Sequence, residues 1–262
     1  MKNAANQVTA PSADNSRTAR ALLIVLSVVA GSTDAIGYLG LDGLFTAHNT
    51  GNLVLVAAHL VAGGEVSLAQ VLAVPVFFVM AGLTVPLASG LKSIGLDSLR
   101  PLLLLEFLLL AGFFAAGIAT GPLGGPNAAI AIVAGMLGVS AMAVQNALVQ
   151  FSFKGAPPTS MMTGNVARLA MDAGQMLIAG SSFDGAEARK RAMRTLSVMA
   201  GFAVGAGIGA ASEATFGLRS LALPTCLALL AFAMGRTESQ ESILPAIKWP
   251  TGVRKAMRSS EA

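Results

Sequence analysis

Six apolar runs, each about twenty residues long, dominate this chain of 262 residues. They cover 21–41, 68–91, 101–120, 127–150, 195–212 and 218–235. A helix rises about 1.5 Å per residue, so about 20 apolar residues cross a hydrocarbon layer of ~30 Å. Inside that layer every backbone polar group needs a partner from the chain, which leaves helices or closed barrels. Charged residues make up only 11% of the chain and apolar residues 54%, where ordinary soluble proteins carry roughly 25% charge. Too few charges remain to build a soluble surface, and disorder is excluded over most of the length. The reading is an all-α, polytopic transmembrane helical bundle of about six spans.

Two further apolar stretches are weaker. The segment 51–63 is short, and 164–180 contains Arg168 and Asp172, each expensive at mid-membrane. Basic residues arbitrate. With six spans and a cytoplasmic N-terminus, every one of the 17 Lys and Arg residues except Arg219 lies on the cytoplasmic side. If both weak stretches also cross, Lys92, Arg100, Lys154 and Arg219 face outward. The positive-inside rule therefore favours six spans, with the weak stretches as short re-entrant or interfacial helices. Residues 1–19 read as a flexible N-terminal tail, 20–236 as the membrane domain, and 237–262 as a basic cytoplasmic C-terminal tail. The first apolar run starts only at Ala21 and reads as a retained span. Expected localisation is the cell (inner) membrane, multi-pass, with both termini cytoplasmic. The lipid bilayer is the expected partner, with anionic lipid at the C-terminal tail as an additional one.

Thr50-Gly51-Asn52 recurs as Thr163-Gly164-Asn165. Asp34-Ala35 precedes the first copy at nearly the distance at which Asn146-Ala147 precedes the second. Each block reads as a long helix, a loop containing glycine, then Thr-Gly-Asn opening a short helix. Thr and Asn suit helix N-termini, and Gly admits close approach. Three proposed spans separate the copies, so the halves 20–125 and 126–236 have opposite topology. That is an inverted internal repeat of the kind found in many secondary transporters.

Gly31-Ser32-Thr33-Asp34-Ala35-Ile36-Gly37-Tyr38, followed by Phe45 through Thr50-Gly51-Asn52, resembles the YoaK-like family of bacterial membrane proteins. Gln145-Asn146-Ala147, followed by Met162-Thr163-Gly164-Asn165, is similar to that family's second block. His48-Asn49 departs from it, since Met commonly stands there. The family is defined by a domain of unknown function, so the resemblance implies architecture and no substrate.

The candidate solute-binding residues are Asp34, Thr50, Gly51, Asn52, Gln145, Asn146, Thr163, Gly164 and Asn165. The two Thr-Gly-Asn helix starts would offer free N–H groups and partial positive charge to a polar or anionic group; the alternative is that Thr-Gly-Asn caps and packs two helices, with the Asn side chains bonded to backbone carbonyls. Asp34, inside an apolar run, is a candidate proton or cation partner, with a capping role for the adjoining loop as the alternative. Arg168 and Asp172 stand at i and i+4 on one helix face and read as a structural or gating ion pair. Glu106 reads as an ion-pair partner of Arg100 or of another group inside the bundle. Gly201, Gly205 and Gly209 form a small-residue ridge that packs within the bundle.

His48 and His59 lack a carboxylate cluster and Cys226 is the only cysteine, so no metal site and no cofactor are expected. No phosphate loop, nucleotide fingerprint or nucleophilic triad is present. The basic runs lack the interleaved aromatics of a nucleic-acid surface. The expected function is a secondary transporter or permeation protein for a small polar or anionic solute, not an enzyme. The alternative is a non-transporting membrane scaffold or partner-binding protein, with an intramembrane enzyme a more distant one.

Overall fold

The computed structural model describes residues 13–119, 128–179 and 183–235. Eight α-helices follow one another: α1 (Ala13–Gly40), α2 (Asn49–Ala62), α3 (Leu68–Ser93), α4 (Leu99–Ala119), α5 (Ala129–Ser152), α6 (Met162–Ala179), α7 (Phe183–Phe216) and α8 (Ala222–Met234). A 3-10 turn, Gly217–Leu221, joins α7 to α8. Gly217 has φ +59°, a left-handed conformation that glycine adopts without strain and that breaks the helix there. Among the described residues no strand is present. The C-terminal tail lies outside the described residues, while α1 begins at Ala13, within the stretch read as the N-terminal tail.

Five helical segments are long and apolar enough to cross a membrane: Arg17–Gly40, Leu68–Ser93, Leu99–Ala119, Ala129–Ser152 and Asp184–Met234. The last contains α7, the turn and α8. This is the make-up of an integral membrane protein. The surface agrees, because Phe78, Leu108, Val133 and Val204 are exposed while Ser27, Ser32, Thr33 and Gln145 are fully buried. α2 has 14 residues, about 21 Å of helix, too short to cross.

Two buried clusters mark the ends of the bundle. One gathers Ile36, Leu44, Ala69, Phe113, Ala134 and Leu221. The other gathers Leu22, Ala88, Leu99, Leu148, Val149 and Ala231. The chain therefore alternates: α1 and α4 run from the second cluster to the first, and α3, α5 and α8 return. α7 runs parallel to α1, since Gly201, Gly205 and Gly209 meet Ile24, Val28 and Ser32 in order. A Cβ at Gly209 would lie 2.8 Å from Ser32 Cα, so the ridge exists to let two backbones touch. That is the internal packing role the sequence suggested for it.

Helix pairing repeats between the halves. α1 packs on α7 as α5 packs on α3; α4 packs on α5 as α8 packs on α1; α2 packs on α3 as α6 packs on α7. The pairs α4–α8 and α1–α5 map onto themselves. Exchanging α1–α4 for α5–α8 thus leaves these pairings unchanged.

Glu106 does not pair with Arg100. Arg100 lays its guanidinium 5.7 Å from the Phe232 ring centroid. Glu106 is fully buried on α4, and neither carboxylate oxygen has a hydrogen-bond partner among the described residues.

Candidate functional site

The two short helices are held by the loops that precede them. Asp34, on α1, is 5% exposed, and its carboxylate is consumed by the loop before α2. Oδ1 accepts from the Ala47 amide at 2.8 Å, and from the His48 amide and Thr46 Oγ1 at 3.4 Å. Oδ2 lies 2.7 Å from His48 Nδ1. The hydrogen bond that the His48 ring donates to Asp34 raises the pKa of His48 above its ordinary value; burial opposes this and the carboxylate charge adds to it. The His48 ring also stands edge-on to Phe202 of α7, 5.2 Å between centroids.

The second half performs the same task without charge. Gln145, on α5, donates from Nε2 to Thr159 Oγ1 at 2.7 Å, in the loop before α6, and to the Leu26 carbonyl at 2.9 Å. Each motif asparagine then reaches back seven residues. Asn52 accepts from the Phe45 amide at 2.9 Å and donates to the Phe45 carbonyl at 2.8 Å. Asn165 donates to the Pro158 carbonyl at 2.7 Å. These are the backbone bonds expected of a loop that must satisfy its polar groups within a bundle. Gly51 admits the Phe45 ring, since a Cβ there would lie 3.0 Å from it, whereas Gly164 faces open space.

α2 leads through residues 63–67 into the start of α3, at the end marked by Ala69. α6 leads into the start of α7, at the opposite end. Their C-termini therefore point to opposite ends, and their N-termini meet between. Two cavities flank that meeting point. One, about 780 Å³, is bordered by His48, Asn49, Thr50, Asn146, Thr163 and Gly164, against α3 from Val74 to Val85. The other, about 680 Å³, is bordered by Asp34, Tyr38, Thr50, Gly51, Thr163 and Phe202. Thr50 and Thr163 border both.

Of the predicted residues, Asp34, Thr50, Gly51, Asn146, Thr163 and Gly164 thus stand around this junction. Asn52, Asn165 and Gln145 border neither cavity. Their amides are turned into the loops, which need partners more than the void does. Asn49 and Ser160 also border the larger cavity and were missed, because single polar residues before a helix carry no signal of their own. The sequence offers His48 titration near neutral pH and no metal-ligating neighbours, and it names no partner for the ring. Its role needed Asp34 beside it, a proximity made by the loop's fold. Among the described residues no group of three metal-ligating side chains is present.

The Arg168–Asp172 pair is not formed. Asp172 is bound instead by Arg191 of α7, with Nε at 3.0 Å and Nη2 at 2.9 Å. Arg191 also donates to Gln175 Oε1 at 2.7 Å. A guanidinium from the facing helix can grip a carboxylate with two nitrogens, whereas an Arg preceding Asp on one helix meets it in the weaker order. Arg168 is left exposed, bordering both the larger central cavity and a third, about 720 Å³, between α6 and α7 with Arg191 and Arg194.

The family model described as protein of unknown function (DUF1275) matches residues 22–234. The chain belongs to the DUF1275 family. The match runs from α1 to the last residue of α8, so it takes in both short helices and both central cavities. The YoaK-like resemblance is consistent with this DUF1275 assignment. No curated protein and no solved structure matches the chain.

Proposed function

We propose that this DUF1275 protein is a secondary transporter or permeation protein that moves a small polar or anionic solute, chemically unchanged, between the two sides of the membrane. One observation carries the reading: two short helices, one from each half, bring their N-termini to cavities that both border. Two positive helix ends facing one void favour an anionic or strongly polar group and repel cations. The matched helix pairings support an inverted repeat of 20–125 and 126–236, and the alternating helix directions support six spans. Orientation follows from charge. Lys92, Arg100, Arg191 and Arg194 gather at the end holding Leu22 and Ala231, and Arg219 stands at the other. That end is the cytoplasmic face of the inner membrane in this reading, with both termini on it.

The test is aqueous access. Thr50→Cys and Thr163→Cys, each in a Cys226→Ser background, are labelled with a small charged thiol reagent in right-side-out and inverted vesicles. Labelling of both positions from both sides is expected. Failure of either position to react from either side removes the pathway.

A further inference from the structure

The third cavity, about 720 Å³ between α6 and α7, lies apart from the central junction and gathers positive charge. Three guanidiniums border it, those of Arg168, Arg191 and Arg194, against one carboxylate, that of Asp172. The carboxylate is already taken. Arg191 holds it with Nε at 3.0 Å and Nη2 at 2.9 Å, and Nη2 donates again to Gln175 Oε1. These bonds fix the plane of the Arg191 guanidinium and leave its Nη1 donors uncommitted among the described residues. Arg168 and Arg194 have no hydrogen-bond or ion-pair partner among the described residues. Glu187, one turn before Arg191, is held by Lys190 at 2.9 Å. The cavity wall therefore carries two positive charges in excess.

The rest of the wall is aliphatic. Pro157, Met171 and Ile178 border the same cavity, and Ile178 is 92% exposed and Met171 66%. On a helix that meets the bilayer, side chains this bare are covered by acyl chains. Guanidiniums and uncovered aliphatic surface thus stand side by side. A planar guanidinium matches phosphate oxygens with paired N–H donors. A soluble inorganic anion would satisfy the arginines and leave the aliphatic wall bare. A zwitterionic lipid would cover the wall but bring an ammonium to a site with positive charge in excess. A phospholipid with net negative charge satisfies both parts. The position agrees, since Arg191 and Arg194 stand at the same end of the bundle as Lys92 and Arg100, where headgroups lie.

We propose that the cavity between α6 and α7 binds an anionic phospholipid of the surrounding bilayer. Its phosphate is held by Arg168, Arg191 and Arg194, and its glycerol and first acyl carbons lie on Met171 and Ile178. The lipid joins α6 to α7 beside the Asp172–Arg191 contact. The site is separate from the C-terminal tail, and the inference does not rest on transport.

The experiment is calorimetric binding to the purified full-length chain in neutral detergent micelles. Its probes are a short-chain phosphatidylglycerol, the phosphatidylcholine with the same chains, and glycerol phosphate, which separate the net charge and the acyl chains. Phosphatidylglycerol is expected to bind saturably, and the other two about tenfold more weakly or less well still. Arg194→Gln and Arg168→Gln should each weaken phosphatidylglycerol about tenfold, the worth of one charge-assisted hydrogen bond, and together they should erase its advantage over phosphatidylcholine. Neither side chain holds another, so both variants keep the fold, and Arg191, which clamps α6 to α7, stays in place. Arg189→Gln removes an exposed charge of the same helix outside the cavity and should leave the affinity nearly unchanged. Equal binding of phosphatidylglycerol and phosphatidylcholine overturns the proposal, as does glycerol phosphate that matches phosphatidylglycerol, or no binding of any probe. It is also overturned if phosphatidylglycerol binds the double variant undiminished, or if Arg189→Gln loses as much as Arg194→Gln. Those two results would place the attraction on the C-terminal tail or on diffuse surface charge.

Discussion

The two short helices are placed alike and held differently. In the first half Asp34 gathers the loop before α2 with four hydrogen bonds, one of them to His48. In the second half Gln145 makes two bonds, to Thr159 and to a carbonyl of α1. The asparagines keep the same seven-residue reach in both, yet Asn52 closes two bonds and Asn165 one to the backbone. The fold therefore demands a polar anchor on the long helix and an amide on the short one. It does not demand charge. What charge adds to the first half is bond strength and sensitivity to pH.

The largest expected effect follows. Asp34→Ala leaves the Ala47 amide and His48 Nδ1 without their charged acceptor, and a hydrogen bond to a charged group is worth about 1.5–3 kcal/mol. His48 keeps a side-chain exposure of 32%, so its bond belongs at the lower end of that range. Thermal unfolding in detergent should show the loss of both bonds. Gln145→Leu removes two neutral bonds and leaves the Thr159 hydroxyl and a carbonyl of α1 without their donor, for about 1–3 kcal/mol. Equal losses from the two variants would break the comparison. Asp34→Asn keeps the shape and loses the charge, so it should fall between wild type and Asp34→Ala. If Asp34→Asn unfolds like wild type, charge contributes nothing to the first anchor.

The motif asparagines give a smaller difference. Asn52→Ala forfeits a donated and an accepted bond, and Asn165→Ala one backbone bond, each bond worth about 0.5–1.5 kcal/mol. Asn52→Ala should be the more damaging, read as the difference in unfolding midpoint. The glycines sharpen the contrast from the packing side. Gly51→Ala must push the Phe45 ring, whereas Gly164→Ala meets nothing within 4 Å. The first should lower the midpoint and the second should leave it nearly unchanged.

Much of this fold was legible in the chain because apolar run length maps directly onto helices in a membrane. The two weak stretches declared themselves by shortness and by Arg168 and Asp172, and both are the short helices α2 and α6. The paired Thr-Gly-Asn blocks lie at the starts of α2 and α6, and Thr50, Thr163, Gly164 and Asn146 border a cavity there. What the chain hid was every bond between distant elements. Asp172 with Arg191 joins α6 to α7, and a local i, i+4 rule cannot foresee a better partner across a gap. Asp34 with His48 was hidden in the same way, since each residue taken alone suggested a different chemistry. For Asn52 and Asn165 the chain leaves two readings, a solute or backbone carbonyls, because side-chain amides suit both ligands and loops. The nearby carbonyls of Phe45 and Pro158 hold them.

The smallest expected effect is also the most diagnostic of the asymmetry. His48 has its pKa raised above 6.5 by the hydrogen bond to Asp34. A group whose folded pKa is raised lends stability that is fully present below its unfolded value, about 6.5. That contribution is lost as pH climbs through the folded pKa, because the folded state must then release a proton it holds more tightly than the unfolded chain does. The unfolding midpoint should therefore decline as pH rises from about 6 toward 9. The second anchor contains no titratable group, so the part of the slope that disappears in His48→Gln belongs to the first. His48→Gln keeps a polar side chain beside Asp34 and should flatten the profile, while Gln145→Leu should lower it at every pH without changing its slope. A wild-type profile that is already flat, or a slope that survives in His48→Gln, would show that the ionic anchor gives the first half no pH sensitivity of its own.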